Sequence, residues 1–310
     1  MLRRTFLGAT IAATLAGRLE ARAGEPALRI VGYNDMAEML GALAARYVRH
    51  VPEARFEFDL KSTRSAPVAL LDGRADLAPM GAELEADDAA AIAARWGRRP
   101  LELAIAHASL SPGALSSPTG VYVGAGNPLE RIALPALARI LSAPAPQTWQ
   151  ELGIDRPGTV RLFGLGEDTA IGKFMLRRLG IERFAPHMQR FGQSRDAAAA
   201  MAGNADALGF ANLNHARPEL RGLALSQNGH DYAAPTAQAI VGGSYPLDRR
   251  LLIYLPLPRR GKPVAAAVRF VRFALSDEGQ AVIAGGTKGY LPLNRYDRVH
   301  EMKKLNKTGV

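Results

Sequence analysis

Short apolar runs alternate along this chain with stretches of helical period, and glycine, serine or proline stands at most of the junctions. Ala27–Val31 reads as a strand, Gly32-Tyr33-Asn34-Asp35 as a turn, and Met36, Met39, Leu40, Leu43, Ala44 and Tyr47 as one face of a helix. The design recurs. Arg55–Leu60 alternates Phe56 and Phe58 with charged neighbours, as a half-buried strand does; the loop Lys61-Ser62-Thr63-Arg64-Ser65 and a short helix with Pro67 in its first turn follow. Ala75–Ala78 predicts a further strand and Glu83–Arg95 an acidic helix. Val160–Phe163 leads through Gly164-Leu165-Gly166-Glu167-Asp168-Thr169 into a helix over Ala170–Leu179. Strand ends that repeatedly meet helix starts predict an α/β fold with mostly parallel sheets flanked by helices, and place ligands at the carboxyl ends of the strands.

Two lobes account for the punctuation. Leu101–Ala108 and Gly120–Val123 are apolar strands, and Ser109–Pro118 between them is too rich in serine, proline and glycine for a regular element, which marks a crossing. Thr148-Trp149-Gln150-Glu151-Leu152-Gly153 is a capping box closed by glycine. The helix Ser194–Ala202 runs into Gly203-Asn204-Ala205-Asp206-Ala207-Leu208, which parallels Asp72-Gly73-Arg74-Ala75-Asp76-Leu77 as a turn followed by a strand. Leu251–Leu255, bounded by Pro246 and Pro256, is a buried strand and the candidate return crossing. Val264–Leu275 is helical, a further helix starts at Ser276, and Lys303–Lys307 reads as a frayed tail. The expected division is 24–115 with 250–310 in lobe 1 and 116–249 in lobe 2.

The N-terminus decides the compartment. Met1-Leu2-Arg3-Arg4-Thr5-Phe6-Leu7-Gly8, a modest apolar run to Leu15 and Ala21-Arg22-Ala23 form an export signal of twin-arginine type over residues 1–23, with cleavage near Ala23 and a soluble periplasmic product. No later apolar segment reaches the ~20 residues of a membrane helix, so stable membrane insertion is not expected after cleavage. The net charge is +10 and remains positive once the signal's arginines leave, but no basic run interleaves with aromatics as a nucleic-acid groove would. Zero cysteines exclude disulfides, thiolate catalysis and cysteine-ligated metals. At 310 residues and 48% hydrophobic content the core alone can hold the fold.

No catalytic signature stands out: neither a Gly-x-Ser-x-Gly elbow nor a His-Glu-x-x-His pair occurs, and the histidines are scattered. His107 with Ser109 lacks a third group and reads as a core histidine; Gly124-Ala125-Gly126 before Asn127-Pro128 reads as a turn rather than a dinucleotide loop. The chain is expected to be no enzyme and to need neither cofactor nor metal. Three loops at helix starts remain, Tyr33–Asp35, Ser62–Ser65 and Glu167–Thr169. They read either as ordinary capped turns or as the walls of a cleft that holds a dehydrated anion.

Together Gly32-Tyr33-Asn34-Asp35-Met36, Ser62-Thr63-Arg64-Ser65, Gly73-Arg74-Ala75-Asp76-Leu77-Ala78, the block Tyr245–Tyr254, Phe270–Gln280 and Gly289-Tyr290-Leu291-Pro292-Leu293 resemble the periplasmic phosphate-binding proteins of high-affinity phosphate importers. These belong to the type II periplasmic-binding-protein superfamily, and the similarity covers nearly the whole exported chain. The resemblance implies a two-lobed fold with two crossings, a monomer that closes on phosphate or a related oxyanion, and an ABC transporter permease, or a sensor, as partner. On this reading Thr63 and Ser65 donate hydroxyl bonds, Asn34 and Thr169 add donors, Arg64 supplies charge, Asp35 accepts the proton of hydrogen phosphate, and Ser62 and Asp168 complete the site. The chain departs from the family in lobe 2. Where the family presents an arginine and then Ser-Gly-Thr, Leu165–Ile171 keeps only Thr169, and Pro79-Met80-Gly81 offers neither the family's serine nor its acid. A second expectation follows: a degenerate anion site in a protein that serves a secretion or signalling complex as a periplasmic partner.

Overall fold

In the computed structural model, which describes residues 26–258, 260 and 262–309, the apolar pattern turns into structure close to where it is read. The export signal expected over 1–23 lies outside the described residues. β1 (Leu28–Gly32) is almost wholly buried, and α1 (Ala37–Tyr47) turns Met39, Leu40, Leu43, Ala44 and Tyr47 inward. β2 (Phe56–Leu60), α2 (Ser65–Leu71), β3 (Ala78–Met80), α3 (Ala86–Trp96) and β4 (Leu101–Ser109) follow. The chain crosses through 110–118 to β5 (Thr119–Gly124), β6 (Arg131–Ala133), α4 (Leu134–Leu141), β7 (Arg161–Leu165), α5 (Ala170–Leu179) and β8 (Gln189–Phe191). α6 (Ser194–Ala202), β9 (Ala207–Asn212), β10 (Leu220–Gly222), β11 (Ala224–Ser226) and α7 (Ala237–Val241) complete that half. It returns as β12 (Arg250–Leu255), then α8 (Ala265–Ala274), α9 (Asp277–Ala284), β13 (Tyr290–Pro292) and α10 (Arg295–Asn306).

The sheets are mixed rather than mostly parallel. In lobe 1, β1 and β2 are parallel, and a bridge from Ile30 to Leu77 carries the parallel pairing on towards β3. Beyond it the order β3-β12-β4-β13 is antiparallel throughout. In lobe 2 the order is β10-β5-β9-β7-β8, parallel for β9-β7-β8 and antiparallel for β10-β5-β9, with β6 and β11 paired separately. The cause is the connectivity. Strands joined through a helix run parallel, whereas a segment that leaves for the other lobe comes back against the strand that sent it. The parallel part of each sheet is the part that builds the cleft. In-step pairing of Gly32 with Leu60, and of Leu165 with Phe191, sets the loops that follow side by side.

Two large apolar clusters divide the same way. One joins β1, α1, β4, β12, α8, α9 and α10; the other joins β5, α4, β7, α5 and β9 around the fully buried Trp149. The crossings lie beside each other, with the Thr119 N–H donating to the Leu247 carbonyl and the Ala108 N–H to that of Arg249. The expected frayed tail is instead the end of α10. Leu305 is fully buried and Glu301 accepts from the Ala104 N–H, so burial worth roughly 1.5–3 kcal/mol for a leucine outweighs terminal fraying. The Thr148 capping box forms as read, with Thr148 and Glu151 bonded reciprocally, but it closes a single turn ending at Gly153 rather than a helix.

Candidate ligand-binding cleft

The carboxyl ends of β1, β2 and β3 face those of β7, β8 and β9 across a cleft of about 400 Å³. Lobe 1 contributes Tyr33, Thr63 and Gly81, and lobe 2 contributes Leu165, Thr169, Ala170, Ile171, Gln193, Ser194, Asn212 and His215. The first crossing adds Pro112 to Ser116, and the second adds Arg249. Ion pairs from the loop after β3 to α5 bridge the mouth: Glu83 with Arg177 at 2.6 Å and Glu85 with Lys173 at 3.2 Å.

Of the residues expected to hold the ligand, Thr63 and Thr169 line the cleft. Asn34, Arg64 and Asp168 are exposed and stand away from it, and Ser62 is half-buried without reaching it. Ser65 is not the cap of α2 but its first residue, and its hydroxyl donates to the carbonyls of Ser62 and Gly32. Asp35 is buried, and its carboxylate is already satisfied. It accepts from the N–H groups of Leu115 and Ser116, pairs with Lys288 at 3.1 Å, and takes the Tyr290 hydroxyl. That leaves Asp35 holding the first crossing and the loop before β13 against lobe 1, with nothing left over for a ligand proton.

The cleft's chemistry comes instead from side chains that the sequence reading did not assign. Arg249 is 8% exposed, donates to the Gly81 carbonyl at 2.7 Å, and lies 5.8 Å from the centre of the Phe174 ring. Burial presses its pKa below the usual arginine value; Tyr33, Glu83 and Asp248 oppose that and Arg177 adds to it. The carboxylates nearby are engaged elsewhere, Asp248 with His107 at 2.7 Å and Glu83 with Arg177. Among the described residues Arg249 has no ion-pair partner, so a buried guanidinium faces the cleft with most of its N–H groups uncommitted.

Lobe 2 answers with donors. The Thr169 hydroxyl is spent capping α5, donating to the Gly166 carbonyl and accepting from the Gly172 N–H. The cap fixes the helix start at Ala170 and Ile171, two residues that line the cleft and whose N–H groups have no intrahelical acceptor. Gly172 is required there, because a Cβ at that position would meet the Gly166 carbonyl oxygen at 1.9 Å. Asn212, 4% exposed, lines the cleft with an unpartnered carboxamide oxygen, an acceptor that serves an anion only when the amide turns to present its Nδ2 hydrogens, and Ser194, whose Oγ accepts from the Asn212 N–H, keeps its own proton to donate. Tyr33 and Ser116 hydrogen-bond at 3.1 Å over Gly81; burial raises the Tyr33 pKa, so that phenol stays neutral. His215 is pushed below its usual value, first by burial and then by Arg195.

Two sequence alternatives are settled locally. His107 is fully buried with Nδ1 on Asp248, while the Ser109 hydroxyl donates to the Lys288 carbonyl, so the two do not form a base and nucleophile. Among the described residues no three His, Asp or Glu side chains gather as a metal site, and no helix is long and apolar enough to cross a membrane. One signal for Arg249 was present in the sequence: two arginines stand directly before an apolar strand whose neighbours leave no room for solvent.

Residues 10–278 match the family model described as the PBP superfamily domain. The phosphate-binding protein PstS of Pseudomonas aeruginosa is 23% identical over 86% of this chain and 83% of its own length. Among solved structures, PstS from Borrelia burgdorferi aligns with a TM-score of 0.63 at 16% identity, covering 87% of this chain and 100% of that one. An ABC-type phosphate transport receptor from Vibrio cholerae aligns with a TM-score of 0.59 at 17% identity, covering 85% and 99%. At these identities the likeness to solved structures is one of fold.

Proposed function

This chain belongs to the PBP superfamily, and from that premise we propose that it is an exported solute-binding protein whose lobes close on a small oxyanion for ABC import or sensing. The observation that carries the reading is Arg249, a buried guanidinium with no ion-pair partner among the described residues, which lines the same cleft as the first residues of α5. A charge held this way is costly unless something neutralises it, and a helix start is an anion's natural counterpart. The relatives' names point the same way, since the P. aeruginosa protein is named phosphate-binding and the V. cholerae one a phosphate transport receptor.

On this reading the site is Arg249, Thr63, Ser194, Asn212 and the N–H groups of Ala170 and Ile171, with Asn34, Asp35, Ser62, Arg64, Ser65 and Asp168 left out of it. The protein works as a periplasmic monomer beside a permease, with lobe 1 made of 24–115 and 250–310 and lobe 2 of 116–249, a division supported by the two apolar clusters. A cleft built to bind, rather than to react, fits a transport receptor and no enzyme. Calorimetry on protein purified from the periplasm of an expressing host tests it: an oxyanion should bind with one-to-one stoichiometry. Absence of heat with every oxyanion at millimolar concentration refutes it and favours the second reading, a periplasmic partner with a disused site, which the spent Thr169 hydroxyl supports.

A further inference from the structure

The cleft is large for an inorganic ion. With the mouth already bridged by Glu83–Arg177 and Glu85–Lys173, about 400 Å³ stays open between the lobes, within the roughly 300–1,000 Å³ of pockets that take organic ligands. Polar and apolar residues share its lining, and Pro112, Leu115 and Ile171 supply the apolar side chains that reach it. The charge count is equally selective: among the described lining residues Arg249 is the one arginine or lysine, burial lowers the pKa of His215, and none is acidic. A single buried cation matches a single negative charge; a dianion would leave charge uncompensated in a desolvated site. The carboxylate that the resemblance would use to hold the proton of hydrogen phosphate, Asp35, is occupied by Lys288, Tyr290 and the Leu115 and Ser116 N–H groups.

We propose that the ligand is a small organic monoanion, with its oxyanion head on Arg249 and the amino end of α5 and its hydrocarbon body against Pro112, Leu115 and Ile171. This rests on the cleft being the binding site, and it names the class of solute that the cleft selects. Each methylene taken from water into an apolar wall tightens binding about fourfold. A body of three or four carbons therefore outweighs what an inorganic ion gains from filling only the polar end.

Calorimetry at pH 7 with sulfate, inorganic phosphate, ethanesulfonate and butanesulfonate separates the possibilities, because both sulfonates are monoanions that do not titrate. Butanesulfonate is expected to bind at least tenfold more tightly than either inorganic ion, and several-fold more tightly than ethanesulfonate. Leu115→Ser, at an exposed position on the wall outside the oxyanion contacts, should reduce the difference between the two sulfonates and leave sulfate unchanged. Phosphate binding as tightly as butanesulfonate, or no dependence on chain length, overturns this inference while leaving an oxyanion receptor intact. Silence from all four probes overturns the receptor reading as well.

Discussion

Replacing Arg249 with methionine separates a binding group from a structural one, because the two roles predict opposite changes in the unliganded protein. Arg249 is 8% exposed, donates one hydrogen bond of 2.7 Å to the Gly81 carbonyl, and has its pKa lowered chiefly by burial. Taking it away leaves the Gly81 carbonyl short of a donor, at a cost of about 1–3 kcal/mol. It also removes a desolvated charge whose effective penalty in folded proteins is several kcal/mol. The second term is the larger, since the direction of the pKa shift means that the folded environment disfavours the charged form on balance. Unliganded Arg249→Met should therefore melt at or above the wild-type temperature.

Binding changes in the other direction. A guanidinium that meets an oxyanion through two charge-assisted hydrogen bonds contributes roughly 1.5–3 kcal/mol through each, so even the lower value lost twice weakens affinity by about two orders of magnitude. Differential scanning calorimetry with and without butanesulfonate or phosphate reads both effects. Ligand at 100 times its dissociation constant adds ~2.7 kcal/mol to the wild type, a rise of several degrees at about 2–4 °C per kcal/mol, and should add nothing to the variant at the same concentration. A variant that melts far below the wild type yet binds normally would show that Arg249 anchors the crossing and that the charge argument is wrong.

Three further outcomes follow from the geometry. Glu83→Gln with Glu85→Gln removes the half-exposed pairs to Arg177 and Lys173, and should weaken ligand binding by no more than about fivefold at low salt, an effect that fades in 1 M NaCl where the Debye length is ~3 Å; equal weakening at both salt concentrations would dissociate these pairs from closure. Gly81→Ala puts a Cβ 2.5 Å from the Tyr33 ring and 2.9 Å from Ser116 Oγ, so it should cost about 1–3 kcal/mol in a denaturant titration and weaken binding as well. His215 is depressed below its usual value by burial, so folding favours its neutral form: its contribution is complete above the unfolded value of 6.5 and is lost as pH falls from there towards the folded value. Melting curves between pH 7.5 and 5.5 should accordingly be flatter for His215→Gln than for the wild type.

What the sequence disclosed depended on how far apart the interacting residues are. The strand–turn–helix units were readable because a period of two or 3.6 residues is local, and strand ends placed Thr63 and Thr169 at the cleft without further knowledge. Asp35 looked free in sequence because its partners, Leu115, Ser116, Lys288 and Tyr290, lie far along the chain. Ser65 looked like a cap because capping statistics are local, yet the Gly32 carbonyl on the neighbouring strand takes its proton. Antiparallel insertion of β12 between β3 and β4 has no compositional mark, since a strand buried on both faces reads as an apolar run in either direction. Arg249 is the extreme case: only packing against Phe174 and Gly81 distinguishes it from its neighbour Arg250, which pairs with Asp297.

The two helix starts that first suggested an anion site prove unequal, and the inequality says how the cleft must work. At α2 the N–H groups of Ser65 and Ala66 bond to the carbonyls of Ser62 and Thr63, so the helix start is closed on itself. At α5 the Thr169 cap satisfies Gly172 and leaves Ala170 and Ile171 open. Lobe 1 therefore offers little as a backbone anion site, and the charge comes from Arg249 at the second crossing, tied to lobe 1 through the Gly81 carbonyl. Apart from Arg249 at the crossing, the described lobe 2 residues that line the cleft include no arginine or lysine, and Lys173 and Arg177 of α5 are paired with Glu85 and Glu83. Neither wall suffices alone: a lone guanidinium in an open, wet cleft binds a monoanion weakly, and neutral N–H groups in water bind it more weakly still. Only when the lobes meet does the ligand gain both sets of contacts in a desolvated space, where each hydrogen bond strengthens the others. On the proposed reading, affinity is thus a measure of closure, and Arg249 at the crossing, within reach of both lobes, takes the place of the arginine that the second-lobe loop lacks.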